Sequence, residues 1–98
     1  MLMAKAYWIA FYREILDSSK LAAYAQLATS AIAAGGGRFL ARSVAAAAYE
    51  SGIRERTIVI EFDSVGQAMA THESPAYREA LKALEGGVVR EMRIIAGV

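Results

Sequence analysis

Glu61 is the one charged residue in TIVIEF (residues 57–62), a segment otherwise apolar or β-branched. An ionised carboxylate in such a strand requires a cation or a ligand beside it. Arg38 and Arg42, in RFLARSV (residues 38–44), are the candidate cations. If Phe39 faces the same way as Ile60 and Phe62 on an adjacent antiparallel strand, then Arg38, Leu40, Arg42, Val59 and Glu61 share the opposite face. A guanidinium placed there could hold a carboxylate or an enolate while Glu61 fixes its direction. The same residues would serve equally as an ion pair that positions a subunit interface.

His72 is the only histidine, and histidine is the side chain whose ordinary titration falls near neutral pH. It could take a proton from an activated carbon or a phenol, with Tyr77 as a donor one helical restart away. Alternatively it ends an apolar stripe. In the catalytic reading Arg42 stabilises developing negative charge and His72 or Tyr77 moves the proton. Arg38, Glu61, Tyr7, Trp8 and Ser74 are then the candidate ligand contacts. Tyr7, Trp8, Tyr12, Tyr24 and Tyr77 could line a cleft for an aromatic ligand, though core packing and subunit contact account for most of them as well.

Several functions are disfavoured by composition. The charge is +1, from 11 Lys and Arg against 10 Asp and Glu, and the basic residues are spread along the chain, so neither nucleic acid nor an anionic membrane is an expected partner. No cysteine is present, which removes disulfides, thiolate nucleophiles and cysteine metal sites. A single histidine makes a histidine-rich metal site unavailable in one chain, and no cofactor motif is present. Gly35-Gly36-Gly37 does not open a helix after a strand, so it reads as a helix stop rather than a phosphate loop. The opening MLMAKAYWIAFY has a short apolar run that stops at Arg13-Glu14 without a small-residue cleavage signal. It is read as a first strand, in a cytoplasmic protein.

These residues must be positioned by one domain, since 98 residues suffice for one core and not two. Residues 5–12 form a strand apolar in both phases, Tyr7, Ile9 and Phe11 against Trp8, Ala10 and Tyr12. Asp17 or Ser18 caps a helix with Leu21, Ala25, Ala28 and Ile32 at helical spacing, widened by Tyr24 and Leu27. Residues 38–44 return as a strand, and 45–52, with Ser51-Gly52 as a turn, lead towards the third strand, 57–62. Ser64-x-x-Gln67 fits a capping box for a helix that places Val65, Ala68, Met69 and His72 on one face. Ser74-Pro75 breaks and restarts that helix, with Tyr77, Leu81 and Leu84 inward. Met69 and Met92 are expected as core fillers. Residues 88–95 form the last strand. The order β-α-β-β-α-β specifies an α+β, ferredoxin-like domain over residues 1–98, a four-stranded antiparallel sheet with two helices on a single face. With 56% hydrophobic residues and apolar residues on both sides of three strands, the bare face calls for a second copy of the chain, forming a dimeric α/β barrel.

The runs AYWIAFY, GGRFLAR (36–42), TIVIEFDS (57–64) and SPAYREA (74–80) together resemble the domain-of-unknown-function family thirteen-thirty, of the dimeric α/β-barrel superfamily. The resemblance implies a ferredoxin-like homodimer with a cleft in each subunit between sheet and helices. It implies no single reaction. Relatives in the superfamily include cofactor-free monooxygenases, muconolactone isomerases, haem-dependent chlorite dismutases and ligand-binding modules. Where the family often has an aromatic pair before SPxY, this chain has Thr71-His72-Glu73, and Ser43-Val44 follows GGRFLAR where glycine is usual. The function expected is a cofactor-free enzyme, monooxygenase- or isomerase-like, on a small carbonyl or phenolic molecule. The alternative is a dimeric module that binds a small anionic or aromatic ligand without turning it over.

Overall fold

Apolar residues in both phases make the first segment a strand that needs cover on two sides, β1 (Ala6–Ile15). In the computed structural model, which describes residues 4–98, it is followed by α1 (Ser18–Ala34), β2 (Arg38–Val44), β3 (Arg56–Phe62), α2 (Val65–His72), α3 (Pro75–Leu84) and β4 (Val88–Ala96). The strands form one antiparallel sheet in the order β2-β3-β1-β4. With α2 and α3 as two pieces of one interrupted helix, this is the ferredoxin-like βαββαβ arrangement read from the sequence. The first three residues of the opening stretch lie outside the described residues.

The helix boundaries follow from local chemistry. Asp17 accepts hydrogen bonds from the backbone N–H groups of Ser19 and Lys20 at 3.0 and 3.1 Å, which starts α1. Gly36 ends it at a φ of +89°, and a Cβ there would run into the Gln67 side chain. Ser64 caps α2 by accepting from the Gln67 N–H at 3.1 Å. The reciprocal half of that capping box, Gln67 Oε1 accepting from the Ser64 N–H, is not formed; the Gln67 side chain points towards α1, where its Nε2 donates to the Gly35 carbonyl at 2.8 Å. It thereby ties the start of α2 to the end of α1. Ser74 starts α3, accepting from the Tyr77 N–H at 3.2 Å and donating to the Thr71 carbonyl at 2.8 Å, with Pro75 in the first turn where its missing N–H costs nothing.

One face of the sheet carries large side chains, and small residues on the helices come down onto them. Trp8, Tyr12, Ile60 and Phe62 are buried against Ala28, Ala31, Ala68 and Ala80, a division of volume that lets the layers approach closely. Two expected core positions are displaced by this. Leu27 and Met69 are 45% and 50% exposed, because the alanines, Tyr24 and Thr71 occupy the inward positions of α1 and α2.

The register of β2 differs from the simple alternation read from the sequence. Phe39 stands opposite Ile60 but Ala41 stands opposite Val59, so Leu40 is an extra residue, a β-bulge. Beyond it the faces are exchanged. Arg38 stays opposite Glu61 on the open face, as expected, whereas Arg42 stands opposite Ile58, on the face covered by the helices. Arg38 and Arg42 therefore lie on opposite sides of the sheet.

Gly36→Ala should destabilise the fold by roughly 1–3 kcal/mol, the range for a non-glycine residue forced into a rare backbone region. Urea unfolding measures this, and a loss below about 0.5 kcal/mol would mean that the α1–α2 junction is not held as described.

Candidate functional site

The last strand, β4, places a cation in the apolar layer of the covered face. In β4 the residues that alternate inward are Arg90, Met92 and Ile94, opposite Tyr12, Ala10 and Trp8 of β1. A guanidinium in that layer needs acceptors, and three phenol oxygens supply them. Arg90 Nη1 donates to the hydroxyls of Tyr12 at 3.1 Å and Tyr24 at 3.2 Å, and Nη2 donates to that of Tyr77 at 3.3 Å. Tyr24 and Tyr77 share a further hydrogen bond of 2.7 Å, and the guanidinium carbon lies 4.8 Å from the Tyr24 ring centroid. Among the described residues Arg90 forms no ion pair.

The electrostatics keep this cluster a set of donors. Burial pushes the Tyr77 phenol far above the ordinary tyrosine range, reinforced by Tyr24, and burial likewise raises Tyr12, with Arg90 opposing. Burial acts to lower Arg90, but the hydroxyls of Tyr24, Tyr77 and Tyr12 outweigh it and the net shift is upward. Each phenol oxygen already accepts from Arg90, and one hydroxyl proton is used between Tyr24 and Tyr77. The other hydroxyl protons remain to be donated. Such an array suits a carbonyl, enolate or phenolate oxygen.

Between α1 and the covered face a cleft opens above this cluster. Trp8, Tyr12, Tyr24, Ala28, Phe39 and Ile58 are among its walls, Arg42, Arg56 and Arg90 also line it, and among the described residues no acidic side chain does. Space for the centres of water-sized molecules is about 40 Å³, room for a few waters or one flat group rather than the larger ligands of fully formed pockets. Arg42 lies over the Phe39 ring, 4.3 Å from its centroid, and reaches Thr29 of α1 at 3.4 Å.

The residues singled out from the sequence are divided among several places. Arg42 and Trp8 line the cleft, and Tyr77 joins it through Tyr24 and Arg90. His72 does not line it. Its ring is 5.3 Å from Trp8 and 5.1 Å from Tyr77 between centroids, packed as one more aromatic surface. Ser74 spends its hydroxyl on the α3 cap. Arg38, Glu61 and Tyr7 belong to the open face: Arg38 Nε and Nη2 donate to Glu61 Oε1 at 3.1 and 3.0 Å, and Tyr7 donates to Glu61 Oε2 at 3.2 Å. Arg38 also reaches Asp63 at 3.0 Å, which Lys5 holds at 2.8 Å. Hydrogen bonds from Lys5 and then Arg38 keep the Asp63 carboxyl below the usual range. Arg90 was missed by the sequence reading. The signal was present, since Arg90 shares the phase of Met92 and Ile94, the same anomaly that drew attention to Glu61.

The His72 imidazole is shifted below its ordinary 6.5, chiefly by burial, then by Arg90 and Arg78, with Glu73 opposing. The unfolded chain therefore takes up the proton first as pH falls. His72 should withdraw stability as pH drops below about 6.5 and have no effect above it, ahead of the carboxylates that titrate in stronger acid. His72→Phe should flatten unfolding free energy between about pH 7 and 5; an unchanged slope in urea titrations across that interval would refute this placement.

No curated protein matches the sequence significantly. Solved structures match the fold. A protein of unknown function from Rhodopseudomonas palustris superposes with a TM-score of 0.76 at 15% identity, over 98% of this chain and 84% of the other. SnoaB, a cofactor-independent oxygenase from Streptomyces nogalater, gives 0.69 at 8% identity, over 97% and 94%. A dimeric ferredoxin-like protein of unknown function from Thermobifida fusca gives 0.69 at 16%, over 97% and 92%. At these identities the likeness is one of fold. The family model described as a domain of unknown function, DUF1330, matches residues 5–98, and the chain belongs to that family.

Proposed function

We propose that this is a homodimeric protein that binds a small aromatic or carbonyl-bearing molecule in the cleft between α1 and the sheet. The observation that carries the proposal is the cleft's construction, apolar and aromatic walls leading to hydroxyl donors held by Arg90. Flat apolar walls take up a ring, and converging donors orient its oxygen. A cytoplasmic setting is part of the proposal.

The dimer is proposed through the open face. Tyr7, Ile9 and Phe11 of β1 lie there beside Val59 of β3 and Ile95 of β4, and Ile95 is 57% exposed. An apolar sheet face of this kind is stabilised by burial against its own copy. The descriptions of fold relatives from Thermobifida fusca and Bacteroides fragilis as dimeric support this.

A second reading, a cofactor-free enzyme on a phenolic or enolisable substrate, is favoured by the tyrosine hydroxyls, which could hold the oxyanion that forms when such a substrate ionises. Kinship of fold with a cofactor-independent oxygenase supports it. His72 stands behind Trp8 and Tyr77, and no carboxylate lines the cleft among the described residues. In this reading the substrate gives its proton to solvent or arrives ionised, and Arg42 and Arg90 stabilise the anion.

Two measurements test the proposal. Light scattering at micromolar concentration should give the mass of two 10.5 kDa chains, and Ile9→Arg should give one; a monomeric wild type would overturn the dimer. In a thermal-shift screen of phenols, quinones and small carboxylates, a ligand at about a hundred times its Kd should add roughly 2.7 kcal/mol, a shift of several degrees. Ala25→Trp, which fills the cleft from α1, should abolish the shift. No stabilising compound in any of the three classes would overturn the cleft as a binding site.

A further inference from the structure

The cleft carries an excess of positive charge that the tyrosine cluster does not explain. Arg42 stands opposite Ile58 and Arg56 opposite Val44 across β2 and β3, so the two arginines are diagonal neighbours on the covered face, a spacing at which like charges repel. Neither forms an ion pair among the described residues. Arg56 Nε is buried and donates to nothing among them. On the other side of Tyr12 stands Arg90, and both Arg56 and Arg90 act electrostatically on the Tyr12 phenol. Three guanidinium groups thus converge on one cleft with no carboxylate among the described residues that line it, in a chain whose total charge is only +1. On the open face arginines are paired: Arg38 with Glu61 and Asp63, Arg13 and Arg93 with Glu91.

A buried, unpartnered guanidinium N–H next to a second unpaired arginine is the arrangement a bound anion completes. The Arg56 Nε–H is already out of water, so that donor loses no solvent partner when an anion arrives. Arg42 is exposed, and its single hydrogen bond to Thr29 is long, at 3.4 Å. It can turn from Phe39 to clamp a ligand and, in turning, uncover more of the cleft. Behind it the walls are flat and apolar, Tyr12, Phe39, Ile58 and Ala28 among them.

Resting on the reading of the cleft as a binding site, we propose that its ligand is a small planar aromatic carboxylate, with the carboxylate between Arg42 and Arg56 and the ring against the apolar walls. The neutral ring analogue lacks the group that the arginines receive. Discrimination therefore lies in charge rather than in ring shape.

The test compares benzoate with benzamide, equal in ring and differing in charge, by calorimetry on the full-length protein and by NMR of arginine side-chain N–H groups. The carboxylate should bind at least about tenfold more tightly than the amide. Arg56→Gln and, separately, Arg42→Gln should each weaken the carboxylate about tenfold and leave the amide unchanged. Arg42 is exposed, so its variant keeps the test valid if Arg56→Gln fails to fold. Equal affinities for acid and amide, both lost in Ala25→Trp, would overturn the anion assignment and leave the cleft standing. Binding of benzoate that survives Ala25→Trp places it elsewhere and overturns the assignment. Failure of both compounds to bind overturns the assignment and counts against the cleft itself.

Discussion

A guanidinium cannot be buried in an apolar layer without acceptors, and Arg90 finds them in phenols brought from three other elements. Tyr12 comes from β1, Tyr24 from α1 and Tyr77 from α3. Each phenol contributes an apolar ring to the core and a polar tip to the arginine, so one charge joins the sheet to both α1 and α3 without exposing backbone. The requirement is directional. Shifting α1 or α3 by one turn would leave hydrogen-bonding groups unpaired in the core, which apolar contacts alone would not penalise as strongly.

The sheet answers a different constraint on its other side. Both faces of β1 are apolar, yet α1, α2 and α3 all cover the Trp8 face. The open face combines apolar residues with a polar edge in which Lys5, Asp63, Arg38, Glu61 and Tyr7 are linked in sequence. These charges are largely exposed, and exposed pairs contribute little to stability. Their linkage instead gives this edge a defined pattern of charge, the kind of feature that fixes orientation rather than strength in an interface.

Much of the architecture was legible because period and punctuation agree. Alternation in residues 5–12 and 57–62, the glycines after α1 and Ser74-Pro75 each specify an element or a boundary, and the Arg38–Glu61 pair was readable from strand alternation. The candidate site was less legible. Counting by twos put Arg42 beside Arg38, and no residue type announces the extra position at Leu40, since a bulge is set by how two strands meet. Helical spacing offered Leu27 and Met69 to the core, but the width of Trp8 and Phe62 across the interface left room for alanine. His72 drew attention by its chemistry, yet its neighbours are aromatic rings. Arg90 carried a readable signal, a charge in an apolar phase, but its meaning depends on three tyrosines 13 to 78 positions away in the chain.

The bulge at Leu40 has a bearing on how relatives of this chain diverge. It sits between two arginines of the same strand, one facing the open side and one facing the cleft. Loss or gain of a single residue there turns the distal half of β2 over, moving Arg42 between cleft and open face while leaving the composition of the strand almost unaltered. Relatives with nearly identical residues in this hairpin can therefore present opposite surfaces to a ligand and to a partner. The length of the segment between Phe39 and Arg42 therefore sets which face of the sheet Arg42 reaches, independently of the residues that flank it.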